Sequence, residues 1–343
     1  NLCYNNTEQV VAVTNVASLD GGVLELNAVS YNMHSAVTQL SSYGDNISAE
    51  NPDFRSSPEY IIEVLDIPNF DNDNMLLPLI YIAVAAKSGA FKPVQLEYTD
   101  NQDDYSYPYS ESISQEAVMG MADCIKLSKN VSAEIIDYKS VVRVCLTSGD
   151  LYSITEDIMV SEHNTNLAII GNELIQFMIA RRVGDNEYLL SGLKRGCLGT
   201  EDLIERYNDQ YERFVLLNQK LHAIELPIHV YNNISKYRIF DSSQEKYKNQ
   251  CEFIWRGNSI KPLSPVNICY QVKDDSYDIS WLRRNKARGG WMNHVDVSLD
   301  YSEEKYLVTI EGNENEVLFS KETSSTSLSV LFSSFHKHLD GGK

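Results

Sequence analysis

Alternating apolar and polar positions recur along most of this chain, and they predict strands far more often than helices. Residues 8–30, EQVVAVTNVASLDGGVLELNAVS, carry two alternating runs on either side of Leu-Asp-Gly-Gly, a hairpin signal. YIIEVLDIP and LLPLIYIAVAA, from Glu59 onward, are apolar runs suited to buried strands, although periodicity alone leaves a buried helix open for the second. VVRVCLTSGDLYSI (141–154) reads as another hairpin turning at Ser148-Gly149-Asp150. The densest pattern is NLAIIGNELIQFMIARRVGDNEYLLSGLKRGCLGT (166–200), a β-meander that turns at Gly184-Asp185-Asn186 and ends in an Arg-Gly-x-x-Gly-Thr corner. After it, EDLIERYNDQYERF (201–214) puts Leu203, Tyr207, Tyr211 and Phe214 at helical spacing behind Thr200 as N-cap, which predicts one short helix. Strands resume with FVLLN and LHAIELPIHVY. Beyond Pro262 and Pro265, the segments NICYQV, YDISWLRR, HVDVSLD, EKYLVTIEG and EVLFSKE follow at the spacing of a small β-sandwich.

The fold class expected is therefore mainly β: β-barrel or β-sandwich domains with short helices, then a small β-sandwich. The Ser, Asn, Asp and Pro rich stretch from Leu40 to Pro58 reads as a linker. Three regions follow: 1–50, a hairpin ending an upstream domain, with its linker; 51–257, a β-rich region; and 258–343, the appended module. The opening NLCYNNTEQVVAV starts as if in mid-strand, which suggests a piece of a longer chain.

Composition narrows the function. The 343 residues hold 48 acidic against 29 basic side chains, a formal net charge of −19, which repels phosphate backbones and anionic lipid. Specific nucleic-acid binding and membrane insertion are not expected, and no apolar run reaches the roughly 20 residues that span a bilayer. The six cysteines are scattered without a CxxC pair, as reduced, mostly buried thiols would be. The spacings of a zinc helix, a nucleophile elbow, a P-loop and a dinucleotide turn are all missing, so no catalytic residue, metal ligand or cofactor is assigned. Asp100 to Asp104 is dense in oxygen ligands with Glu111 at the twelfth place, but an EF-hand loop needs glycine at the sixth, where Tyr105 stands.

Two candidate interaction surfaces remain. Tyr98, Tyr105, Tyr107 and Tyr109, in a segment read as a loop over 97–112, offer rigid apolar area with polar tips, suited to sugars, to a protein partner or to half-buried packing. The other is the concentrated positive charge of Arg283, Arg284, Lys286 and Arg288 ahead of Trp291, read as a hairpin that docks on an acidic neighbour in this chain or in another subunit.

The Gly171-x-Glu173 start with Phe177, and the Arg195-Gly196-x-x-Gly199-Thr200 finish, resemble the tail-tip, or baseplate hub, proteins of long-tailed phages and gene transfer agents. Val64 to Pro68, Leu96-x-Tyr98, Leu151 to Ser153, Phe214 to Leu217, Ile260 to Val266 and Ile279 to Arg284 occur in the same order as in that family. The order Pro-x-x-Pro-Val, Ile-Ser-Trp, Glu-Lys-Tyr resembles a fibronectin type III-like module with Trp281 in its core and Tyr306 on the opposing sheet. Leu282 and Cys197 depart from the family pattern. The resemblance implies a non-enzymatic structural protein of the virion tail tip, synthesised in the bacterial cytoplasm of a phage or prophage host. It implies a homotrimer in the full-length protein, contacts to tail-tube and distal tail proteins, and support of host attachment and DNA delivery. The competing reading is an adhesin for a glycan or receptor on the host surface.

Overall fold

The structure, a computed structural model, describes residues 2–4, 7–9, 11–19, 23–30, 58–70, 76–99, 109–126, 131–204, 211–241, 246–286, 297–301, 303–312 and 316–334. The chain divides into two compact units, 1–56 and 57–343. In the first, β1 (Leu2–Tyr4) pairs with β2 (Thr7–Gln9), and β3 (Val11–Leu19) pairs with β4 (Val23–Ser30) in the expected hairpin, closing at Leu19 opposite Val23. The linker read over 40–58 lies outside the described residues except for Pro58.

The second unit opens with β5 (Glu59–Leu65), β6 (Leu79–Ser88), β7 (Val94–Thr99) and β8 (Tyr109–Ile113). Next come β9 (Met119–Lys126), β10 (Ile136–Asp137), β11 (Val141–Leu146), the turn-and-a-half helix α1 (Glu156–Ser161), β12 (Leu167–Ile170), β13 (Glu173–Arg182), β14 (Glu187–Lys194) and β15 (Glu212–Leu216). Then β16 (His222–Glu225), β17 (Ile234–Asp241) and β18 (Lys246–Ile254) follow.

Strands β14, β11, β9, β15, β12 and β13 pair in that order, and β13 pairs back onto β14, closing a six-stranded barrel with β10 added at β14. Closure leaves no open edge in the ring and fills the interior with side chains. Val142, Val144, Ile170, Ile175, Phe177, Leu190, Leu193 and Phe214 make that interior. The strands before and after the barrel build two further sheets, β16-β6-β5 and β18-β17-β7-β8. The barrel is thus inserted between two halves of a sandwich.

β6 explains how the pieces are joined. Its alternate residues Ile80, Ile82, Val84 and Ala86 pack with Leu96, Tyr237, Ile239 and Trp255 of the facing sheet. Leu79, Tyr81, Ala83 and Ala85 point the other way, against Met119, Leu167, Ile169, Leu174 and Val215 on the outer wall of the barrel. Both faces of the strand are covered, which is why LLPLIYIAVAA is a continuous apolar run and not an alternating one. Each fully buried aliphatic side chain in it contributes about 1.5–3 kcal/mol of hydrophobic stabilisation.

The C-terminal segment holds β19 (Val266–Val272), β20 (Ser276–Leu282), β21 (Tyr306–Glu311), β22 (Val317–Thr323) and β23 (Ser327–Leu331). They form the sheets β19-β20-β23 and β21-β22. Trp281 of β20 is buried and meets Tyr306 of β21 edge-on, ring centres 5.1 Å apart.

Several expectations are corrected. The described parts of 201–214 are not an α-helix: a 3₁₀ turn covers Glu201–Leu203, and the chain is extended from Glu212, with Phe214 inside the barrel. The 141–154 hairpin does not form, because β11 pairs with β9 and β14 while residues 151–154 lie outside the strands, with the Ile154 amide on the Met178 carbonyl of β13. The 97–112 loop is in part the paired strands β7 and β8. The described part of HVDVSLD, 297–300, is not a strand. No described helix is long and apolar enough to cross a membrane.

Truncating Ile82 to alanine leaves a cavity between the sandwich and its facing sheet, and is expected to lower the unfolding free energy by about 2–5 kcal/mol in chemical denaturation. The same truncation at the exposed Tyr152 should change it by no more than about 0.5 kcal/mol.

Candidate functional site

The Arg-Gly-x-x-Gly-Thr corner is built around a buried ion pair. Glu173 opens β13 and Arg195 follows β14, so barrel pairing brings the two side chains to one end of the ring. Arg195 Nε donates to Glu173 Oε1 at 2.7 Å and Nη2 to Oε2 at 2.8 Å, a two-pronged contact between groups 0% and 1% exposed. The Gly196 amide donates to the same Oε1 at 2.9 Å, and Arg195 Nη2 also reaches the Ile204 carbonyl. Burying these charges is tolerable because each is answered by the other and by backbone groups.

The rest of the motif follows from this contact. Gly196 takes φ +61°, and a Cβ there would lie 2.7 Å from the Glu201 Cα, so the chain could not fold back so tightly with any other residue. Gly199, at φ +94°, leaves space filled by the Leu263 side chain, which a Cβ would approach to 2.6 Å. The Thr200 hydroxyl accepts from the Leu174 amide at 3.1 Å and donates to the Cys197 carbonyl at 2.9 Å. It stitches the corner to β13 and caps no helix. Burial pushes the Cys197 thiol up to about 11, so it stays neutral. Asp137 is buried beside the pair. Burial pushes its carboxyl up, but the Ser140 hydroxyl, the Lys139 and Ser140 amides and the Arg195 charge outweigh that and hold it below the usual range.

Gly171 turns β12 into β13, its amide on the Arg213 carbonyl and its carbonyl accepting from Arg213 Nε. Arg213 also reaches Glu63 of β5 at 3.1 Å, tying barrel to sandwich. Phe177 lies inside the barrel. Trp281 belongs to the separate C-terminal packing described above.

The described part of the basic stretch, Arg283, Arg284 and Lys286, is spent inside the chain. Arg284 donates to both oxygens of Glu201, at 2.7 and 3.3 Å, and to the Ser264 carbonyl, so it docks the C-terminal segment on the barrel corner. Arg283 pairs with Glu304 at 2.8 Å. Lys286 is buried, with Nζ donating to the Ser259 carbonyl at 2.8 Å, and burial draws its ammonium down to about 8 against the pull of Asp300 and Asp66. Arg288 and Trp291 lie outside the described residues, as do Tyr105 and Tyr107. Tyr98 and Tyr109 are brought together, stacked across β7 and β8 with ring centres 4.9 Å apart. Sequence reasoning missed Asp137, Glu201 and Leu263; an acidic residue directly after the Gly-Thr of the corner was a signal that could have pointed to Glu201.

This arrangement defines the class of protein by shape: a closed β-barrel whose signature residues hold one corner, with carboxylate and guanidinium saturated by each other. Residues 117–215, which span the barrel strands almost to the end of β15, match the family model described as Rcc01698-like, C-terminal. No curated protein matches the chain.

Changing Glu173 to glutamine strands a buried guanidinium and should cost about 3–5 kcal/mol of stability. The double change Glu173→Leu with Arg195→Met should recover most of that loss in the same denaturation experiment. A cost below about 1 kcal/mol for the single change would place the pair among weak surface bridges.

Proposed function

We propose that this chain is a non-enzymatic structural component of a phage-like tail tip or baseplate hub, located at the distal end of the virion tail and supporting host attachment and DNA delivery. One observation carries the reading: the residues that resemble tail-tip proteins, Gly171, Glu173, Arg195, Gly196 and Gly199, are the ones that lock the barrel, and the barrel is the part that matches the Rcc01698-like C-terminal model. Residues that serve a shape fit a protein whose work is assembly.

In this reading the partners are further copies of the chain, as a homotrimer in the full-length protein, together with tail-tube and distal tail proteins. The fibronectin type III-like module hangs from the barrel corner through Arg284 and Glu201. The interior of each barrel is packed with apolar side chains, so a passage for DNA would run between subunits and not through a barrel. The net charge of −19 would keep such a passage from holding DNA by its phosphates. The competing reading, a host-surface adhesin, draws on the stacked tyrosines of β7 and β8.

Gold-labelled antibody against residues 117–215, applied to tailed particles released by cells that encode the chain, should mark the tail end away from the head. Label on the head, along the tube, or only on material free of particles would contradict the assignment.

A further inference from the structure

Tyr98 on β7 is the middle ring of three. It stacks on Tyr109 of β8, with ring planes 16° apart, and on Tyr237 of β17, with centres 5.8 Å apart and planes 19° apart. Its hydroxyl donates to Glu111, which also contacts His222 Nε2 at 2.5 Å, so the ladder is held at its polar end. Tyr237 is fully buried, whereas Tyr109 is 42% exposed and ends the ladder in solvent.

A pocket of about 190 Å³ opens beside these rings, lined by Tyr98, Tyr109, Tyr237, Ser235, Glu225 and Pro227 among others. Ser235 is buried, and its hydroxyl has no hydrogen-bond partner among the described residues. Buried polar atoms are rarely left so, and one on the wall of a pocket points to a group that enters from outside. Glu225 is exposed at the same pocket and supplies carboxylate acceptors.

We propose that this pocket binds the terminal pyranose ring of a neutral glycan. A pyranose has an apolar C–H face, which packs on a tyrosine ring, and hydroxyls around its edge, which suit the Ser235 hydroxyl and the Glu225 carboxylate. The volume would hold about six waters at roughly 30 Å³ each, room for one sugar ring and not for two. A ring inside a chain carries links on both sides, so the pocket takes an end residue. Glu225 and Glu111 disfavour acidic sugars and phosphorylated ligands. The inference sharpens the adhesin reading by naming its ligand class. It lies on strands outside residues 117–215, so it stands or falls apart from the placement of the barrel in a tail.

The test is saturation-transfer NMR of the folded chain with the methyl glycosides of glucose, galactose, mannose and N-acetylglucosamine. At least one should receive magnetisation at its ring protons. Tyr109→Ala should abolish the transfer, and Glu225→Gln, which removes one charged hydrogen-bond acceptor, should weaken affinity about tenfold or more. Glu225 is exposed, so Glu225→Gln should leave the melting temperature unchanged, whereas Tyr109→Ala removes a ring stacked on Tyr98 and should lower it by a few degrees; if Tyr109→Ala does not fold, Glu225→Gln decides. An oligosaccharide ending in the bound sugar should compete, and one with the same sugar only at internal positions should not. Transfer to none of the four glycosides, transfer that survives the substitutions unchanged, or equal competition by internal residues would overturn the proposal.

Discussion

A carboxylate and a guanidinium buried together cannot be separated without leaving a charge where water does not reach. At the end of this barrel that constraint falls on Glu173 and Arg195. It fixes where β13 begins and where β14 ends, and it draws the Gly196 amide into the same carboxylate. The tight turn at Gly196 then sets Thr200 over the Leu174 amide, makes room at Gly199 for Leu263, and presents Glu201 to Arg284. A single polar contact thereby reaches from the closure of the barrel to the seat of the C-terminal segment.

Around this corner the second unit is organised by coverage of apolar faces. β6 is shared between two cores, one with the facing sheet of the sandwich and one with the barrel wall. Alanines at 83 and 85 on the barrel side let the strand and the barrel wall approach closely, while isoleucines at 80 and 82 fill the sandwich side. Arg213 to Glu63 adds a polar tie across the same seam. Inserting the barrel between β8 and β16 is compatible with a folded sandwich because the strands on each side of the insertion meet again in both sheets.

Much of this was legible in the chain. The 166–200 meander reads directly because its alternation has period two and most of its glycines fall at turns, whereas the apolar run at 79–86 reads as a buried strand with a buried helix left open, because a run covered on both faces carries no alternation. What the sequence could not show was partners distant along the chain. Phe214 sits at helical spacing from Leu203, Tyr207 and Tyr211, yet the barrel interior claims it through β15. The Gly149 turn suggested a local hairpin, but β11 already has β9 and β14 on its two edges, so residues 151–154 cannot pair back on it and bond instead to β13, Ile154 to the Met178 carbonyl and Ser153 to Ala180. The basic stretch at 283–286 reads as docking on an acidic neighbour, but the sequence does not say which, and the fold supplies Glu201 and Glu304. Charge counts reveal how many ions a chain holds, and only the fold reveals which have found each other.

Hydrogen exchange at two backbone amides tests the central claim most directly: Gly196, which donates to Glu173, and Leu174, which donates to Thr200. If the corner closes the barrel, both amides exchange only when the barrel opens as a whole, with protection equal to that of the amides inside β13 and β14. Rapid exchange at both, while the strand amides stay protected, would show that the corner opens by itself and that the ion pair is not what the barrel depends on.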